Sequence, residues 1–198
     1  MSKALTQMQR NLIAHMEAFK SLKAKMNVAD QFVYKGMEHF LLEHGVWYEV
    51  QPWQNKYRQG APKNCFANAM LLGAEKGLRY VEGLAIADIS IELPIHHGWN
   101  IDKHGNVIDN TWLNSGLVYF GVEFSIGRAD DALWNGDSTV LDDYRRRHPL
   151  YRQPWLGEDY SLKWKASEGM KLLRRMNKGE SPKRLLNEVE QLREEHAK

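Results

Sequence analysis

The sequence predicts an α+β fold, in which a helix packs on an antiparallel sheet of about four strands and further helices lie at both ends of the chain. Three observations favour this class. Apolar residues recur every three or four positions near both termini, which is the period of an amphipathic helix. Between them, short apolar runs stop at Gly, Asn or Pro, which is typical of strands. One Ala- and Leu-rich stretch interrupts these runs and indicates a central helix.

The chain of 198 residues is interpreted as a single domain, 1–198, with three parts. N-terminal helices cover residues 3–45, a core covers about 46–125, and a basic helical region covers 144–198. The first predicted helix spans 3–26. Its apolar face is made by Leu5, Met8, Leu12, Met16 and Phe19.

A second N-terminal helix is predicted from about Val28 to His44, and Gly45 ends it. The core then begins with a short strand at 46–51. A loop follows over 51–64, where Gly, Pro and Asn occur without any period.

The central helix is predicted to begin at Cys65 and to end at Gly77, with Asn64 as its N-cap. Four further strands follow it. They are predicted at 78–87, 95–102, 106–112 and 117–124. The turn KHGN joins 95–102 to 106–112 as a hairpin, which makes these two strands antiparallel neighbours.

The last third of the chain is predicted to be mostly helical. Residues 128–160 show no clear period and are interpreted as a loop with one short helix near 138–147. Two helices are predicted after it, at 163–177 and 182–197, separated by a Gly–Pro break.

Charge is distributed unevenly along the chain. Residues 1–143 carry 13 basic and 17 acidic side chains, whereas residues 144–198 carry 14 and 8. The surplus in the second part attracts nucleic acid or an acidic protein, or it is simply a solvated helical surface, and the latter is favoured.

Composition excludes several classes of protein. No run of about eighteen apolar residues occurs, so no membrane association is expected. One cysteine and the lack of a secretory signal pattern favour a cytoplasmic location. The histidines lack metal-ligand spacing, and no glycine-rich phosphate loop is present, so neither a metal nor a cofactor is expected.

The single cysteine, in NCFANA, is the first candidate for chemistry. A thiol attacks as the thiolate, which an ordinary thiol with a pKa of about 8.5 forms sparingly at neutral pH. A helix N-terminus favours the thiolate, because its unpaired N–H groups and dipole are positive. Cys65 stands at such a terminus, but a lone cysteine is more often a buried structural residue.

The segment IHHGWN supplies two candidate bases. Side chains alternate along a strand, so His96 and His97 point to opposite faces, and periodicity alone does not choose between them. The hairpin places Asp109, in VIDNTW, across from the histidine pair. A carboxylate on this apolar strand needs a donor, and His97 is the nearest.

In this order, CFANA, HGW and DNTW resemble the three motifs of the transglutaminase-like branch of the papain-like cysteine enzymes. The resemblance covers about residues 60–125. It implies a papain/transglutaminase-like core and a triad of Cys65, His97 and Asp109. It also implies that Gln59 and the Cys65 N–H bind the oxyanion. Gly98 and Asn110 depart from the alanine and proline that are more frequent there.

Further side chains are candidates for contact with substrate, each with a structural alternative: Asn68, Glu82, His96, Trp99 and Tyr119. Asn68 shares a helix face with Cys65 but is equally well a surface amide. Glu82 points into the site or outward from a half-buried strand, and the latter is favoured. Trp99 is expected to pack the hairpin, with an apolar wall of the cleft as its alternative role, and Tyr119 is expected in the core or at the rim of the cleft.

The function expected from these residues is thiol-dependent acyl transfer. A cysteine hydrolase, either a protease or an amidase, is favoured over a transferase because hydrolysis needs no second binding site. Its partner is an amide, peptide or other acyl substrate. The alternative is a binding module that engages nucleic acid or an acidic protein through the basic region 144–198.

Overall fold

A computed structural model describes most of the chain. The described residues are 5–26, 32–51, 57–88, 93–112, 116–135, 139–160 and 164–181, together with 184 and 187. They form a mixed α+β arrangement of five α-helices and one five-stranded antiparallel sheet. Within them, no helix combines the length and the apolar character that crossing a membrane requires.

The sheet has the strand order β1-β5-β2-β3-β4. Its strands are β1 Val46–Tyr48, β2 Arg79–Ile86, β3 Ile95–Ile101, β4 Val107–Ile108 and β5 Val118–Phe124. The two edges approach each other, because the N–H of Val107 donates to the carbonyl of Glu49, just beyond β1, at 3.2 Å. The sheet is therefore curled, and one of its faces is enclosed.

The helices are α1 Gln7–Lys25, α2 Met37–His44, α3 Cys65–Lys76, α4 Ile126–Asn135 and α5 Glu168–Asn177. A short 3₁₀ helix covers Pro149–Tyr151. α3 packs against β3 and β2 on the face of the sheet opposite the enclosed one, which is called the helical face below. α4 and α5 pack against α3. The main apolar core lies between these helices and the sheet. Its largest fully buried members are Tyr80, Phe40, Phe124, Leu12, Met16, Leu41 and Met70.

A second, smaller core fills the enclosed face of the sheet. It consists of Val81, Ala85, Trp99, Ile101, Val107 and Tyr119. Strand alternation explains this division, because odd-numbered residues of β2 and β3 point inward and even-numbered residues point toward α3. His97 belongs to the enclosed face and His96 to the helical face.

Several predicted elements are confirmed, and α3 is the clearest of them. It begins at Cys65 and ends at Gly77, whose φ of 67° suits a residue without a side chain. The hairpin of β3 and β4 pairs Ile101 with Val107, as expected, but β4 stops at Ile108. The residues after it turn away because Asp109 bonds the backbone N–H groups that would have continued the strand.

Other expectations were wrong. Residues 32–36 are not helical, so the second helix begins only at Met37. Residues 139–147 form turns rather than a short helix, while α4 lies in a stretch that was interpreted as a loop. Apolar residues three or four apart within α4 would have revealed it. Residues 27–31 and most of 182–197 lie outside the described residues.

Candidate active site

Cys65 is the first residue of α3, and it is partly exposed. Asn64 occupies the N-cap position, but its side chain makes no capping hydrogen bond, in contrast to the expected cap. Just before it, Lys63 has a φ of 62°, a left-handed conformation that is unusual outside glycine. The helix therefore starts abruptly, and the N–H groups of its first turn are left without a side-chain acceptor from Asn64.

A glycine on β3 allows this helix start to approach the sheet. A Cβ placed on Gly98 would lie 2.8 Å from Cδ1 and 3.1 Å from Cα of Phe66, the residue after Cys65. A side chain at this position would force Phe66 to shift, so glycine allows the helix start to come this close to the strand. Close packing brings the thiol next to the strand that carries His97.

His97 links the thiol to a carboxylate. It is 2% exposed, and its imidazole is close enough to the Cys65 thiol for the sulfur to contribute to its raised pKa. Its Nε2–H donates to Oδ2 of Asp109 at 2.7 Å. Because Nε2 is engaged in this way, Nδ1 is the ring nitrogen left for the sulfur. Trp112 stacks on the imidazole, with ring centroids 3.9 Å apart and planes 10° apart.

Asp109 is fixed by four donors. Oδ1 accepts from the N–H groups of Thr111 at 2.8 Å and Trp112 at 3.3 Å. Oδ2 accepts from His97 and, at 2.9 Å, from the hydroxyl of Tyr119. Asp109 is 6% exposed, so its carboxylate is buried, and each of its two oxygens accepts two hydrogen bonds.

The electrostatics favour the charged form of this pair. Burial lowers the pKa of His97, but its hydrogen bonds to Asp109 and Cys65 outweigh burial and raise the pKa to about 9. Burial has the opposite effect on Asp109 and raises its pKa. The hydrogen bond and charge of His97 outweigh burial, so the pKa of Asp109 is lowered overall. At neutral pH the charged, imidazolium form of His97 is therefore favoured, between the carboxylate of Asp109 and the sulfur of Cys65.

The expected oxyanion donor, Gln59, lies beside this row. Its amide nitrogen donates to the carbonyl of Thr111 at 3.4 Å, which is a long and weak hydrogen bond. The adjacent Gly60 N–H donates to the carbonyl of Asn110 at 2.7 Å. The loop before α3 is thus held against the turn that carries Asp109.

Asn68 holds the same loop from the helix side. Its Oδ1 accepts from the Ala61 N–H at 3.2 Å, and its Nδ2 donates to the Ala61 carbonyl at 2.8 Å and to Oγ1 of Thr111 at 3.0 Å. The side chain is neither a surface amide nor available to substrate here. It positions the loop of Gln59.

Glu82 is neither outward-facing nor open to substrate. It is 0% exposed and accepts from Tyr80 Oη at 2.7 Å and from the backbone N–H groups of Val140 at 3.0 Å and Leu141 at 2.9 Å. His96 Nε2 lies 3.7 Å from its carboxylate. Glu82 therefore ties the segment after α4 to the middle of the sheet.

The other expected contacts have mixed outcomes. His96 is partly exposed, and its ring packs on that of Phe66, the residue after Cys65, with ring centroids 4.7 Å apart. Trp99 and Tyr119 are both 0% exposed, so they do not reach a substrate in this arrangement. Trp99 fills the enclosed core, and Tyr119 orients Asp109 while accepting from the Gly116 N–H at 2.8 Å.

Two contributors were not foreseen as site residues. Trp112, the last residue of VIDNTW, covers the imidazole. Thr111 receives Asn68 and donates its N–H to Asp109. The motif DNTW contains both residues, and an aspartate that bonds the N–H two residues ahead is a common turn signal that could have identified Thr111.

Comparison with known protein families, with curated proteins and with solved structures finds no match to this chain. No group of three His, Cys, Asp or Glu side chains in the described part of the chain is placed to hold a metal ion. The chemistry that the site supports is therefore argued from its own geometry.

Proposed function

We propose that the protein is a thiol-dependent acyl-transfer enzyme, a cysteine hydrolase that cleaves an amide or peptide. One observation carries the proposal: His97 is hydrogen-bonded to the buried Asp109 and also interacts with Cys65, so the three side chains lie in one row. Cys65 stands at the start of a helix and is partly exposed, so a substrate can reach its sulfur. The imidazole of His97 and the carboxylate of Asp109 are buried behind it. A packed structural cysteine has no need of this polar row.

In the first half of the reaction, the Cys65 sulfur bonds to the substrate carbonyl carbon, and His97 holds the thiol proton. The tetrahedral intermediate then collapses. Its C–N bond breaks, and the amine leaves with the proton from His97, which produces a thioester on Cys65. Asp109 keeps Nε2 protonated throughout and so keeps Nδ1 directed at the sulfur.

In the second half, water attacks the thioester carbonyl and gives a proton to His97. The C–S bond breaks, the carboxylic acid departs, and Cys65 regains its proton from the imidazole. An amine in place of water would give a transferase. Hydrolysis remains the proposal, because the site then needs room for one substrate only.

The negative oxygen of each intermediate needs donors. The Cys65 N–H is suited to this role, because a first-turn N–H has no acceptor within its helix. Gln59 is proposed as the second donor. Its 3.4 Å contact with the Thr111 carbonyl is weak enough to exchange for a charged oxygen.

The papain/transglutaminase-like fold is part of the same proposal. It is supported by the order of the three residues along the chain, by the nucleophile at the start of α3 and by the position of the base on β3, next to the strand that the acid follows. The acid lies directly after β4 rather than within it.

The test is the pH dependence of alkylation by iodoacetamide. Cys65 is the only cysteine in the chain, so incorporation reports on one site. Wild type is expected to react rapidly below pH 7, whereas His97→Ala is expected to react only near the pH of an ordinary thiol, about 8.5. Equal profiles for the two proteins would refute the proposal. Mass spectrometry with activated amides then detects the thioester.

A further inference from the structure

A basic groove begins beside the proposed active site and runs along α3. The described residues leave a cavity of about 590 Å³ there, bounded by the loop before α3, by one face of α3 and by α5. Gln59, Asn68 and Asn110 form its near end. These residues also hold the turn of Asp109, so the groove and the triad share a wall.

The charge of the groove is strongly one-sided. Among the described residues, Arg58, Lys76, Arg174 and Lys178 line it, and Glu75 is the single acidic one. Neighbouring carboxylates that could have neutralised it are engaged elsewhere. Glu180 pairs with Arg175 at 2.8 Å, and Glu168 pairs with Lys171.

Arg174 is the least satisfied of these groups. Its guanidinium lies over the Trp164 ring, 5.7 Å from the centroid, and its Nε is buried without a hydrogen-bond partner among the described residues. A buried donor without an acceptor is costly, and an anion in the groove would supply one. Lys178 stands four residues further on and shares the helix face of Arg174.

We propose that this groove binds the acidic portion of a peptide substrate whose scissile amide lies at Cys65. The inference rests on the proposed function and adds the substrate class. α3 is 12 residues long, so Lys76 lies about 16 Å along its axis from Cys65. An extended peptide covers about 3.3 Å per residue, which places Asp or Glu side chains about three to five residues from the cleaved bond.

A peptide fits the groove better than a nucleic acid does. The cavity has the size of a small-ligand site, and its near end adjoins the turn that carries Asp109, because Gln59 and Asn68 both bond to Thr111. A nucleic acid needs a longer basic track, and it offers no amide for the thiol to attack. The groove also provides Tyr57 and the Leu71–Leu72 pair, which suit the apolar parts of a peptide.

The experiment uses fluorogenic peptides that share one scissile amide and carry Glu, Gln or Lys three to five residues from it on either side. Wild type is expected to prefer Glu over Gln by about tenfold in kcat/KM, as two exposed charge pairs would produce. Lys76→Gln with Lys178→Gln is expected to abolish the preference. The matched control is Lys171→Gln, on α5 but outside the groove, which is expected to retain it. Cleavage without a charge preference, or a preference that survives the double substitution, would overturn the proposal that the groove binds acidic residues. It would leave the proposed enzyme activity intact.

A binding measurement separates the two proposals. Cys65→Ala is titrated with a short fluorescein-labelled oligoglutamate peptide, followed by anisotropy. Salt-sensitive binding that the double substitution weakens supports the groove even if wild type cleaves nothing. Tighter binding of a single-stranded oligonucleotide of the same length, or no binding of oligoglutamate, overturns the assignment to acidic peptides.

Discussion

Replacing Asp109 with asparagine is expected to discharge His97 at neutral pH. The pKa of His97 is about 9 against an ordinary value of 6.5, which corresponds to about 3 kcal/mol in favour of the imidazolium. Burial opposes this charge more than any single contact supports it, and Asp109 supplies both a hydrogen bond and a negative charge in its favour. In Asp109→Asn the burial remains and those contributions are lost.

The pKa of His97 is therefore expected to fall to 6.5 or below in this variant. The assay is nitrogen NMR of the imidazole between pH 5 and 10, with His97→Gln used to assign the resonance. The rate of Cys65 alkylation below pH 7 is measured in parallel. It is expected to fall by at least tenfold, because each unit by which the pKa of His97 falls lowers the stability of the imidazolium beside the sulfur by a factor of ten.

The matched control is Asp102→Asn, which changes another aspartate of the same hairpin. Asp102 caps the β3–β4 turn by accepting from the N–H groups of His104 and Asn106, and it has no hydrogen bond to His97. The reasoning is refuted if His97 titrates near 6.5 in wild type. It is refuted equally if the His97 pKa stays near 9 in Asp109→Asn, because something other than the carboxylate would then offset the effect of burial.

Three other outcomes are expected. Gly98→Ala should destabilise the fold by about 1–3 kcal/mol and slow thiol alkylation, because its Cβ would overlap Phe66; unchanged denaturant midpoints and rates would contradict this. Tyr119→Phe should cost about 1–3 kcal/mol in unfolding free energy and lower kcat/KM, because Asp109 loses a donor and a buried N–H its acceptor; wild-type values in both assays would argue against it. The pKa of His97 is about 9 in the folded protein and near 6.5 in the unfolded chain, so protonation of His97 stabilises the folded state fully only below about pH 6.5. The free energy of unfolding should therefore fall by about 3 kcal/mol as the pH rises to 9. The same pH dependence in a His97→Gln protein would exclude this origin.

α3 and the hairpin could be predicted from the sequence because each depends on local signals: Gly77 ends the helix, and KHGN makes the turn. Strand alternation places His96 and His97 on opposite faces but does not choose between them, and the choice of His97 came from the resemblance of the three motifs. The strand order could not be predicted in this way. β5 pairs with β2 and β1 across long stretches of chain, and such pairing depends on packing rather than on neighbouring residues.

Roles that depend on distant partners were also missed. Glu82 looked like an outward or substrate-facing residue, because the N–H groups that satisfy it lie 58 and 59 residues further along. Asn68 is bonded to a residue 43 positions away as well as to the adjacent loop. A buried polar residue in an apolar strand indicates that partners exist, but its spacing does not say where they are.

The four donors around Asp109 have a consequence for the order in which the protein becomes active. The sulfur leaves the ribosome first, the imidazole some thirty residues later, and the hydroxyl of Tyr119 last. Until all of them have emerged and the sheet has curled, the nascent chain carries a thiol with no anchored base. The proposed catalytic row is therefore complete only once the last strand has formed.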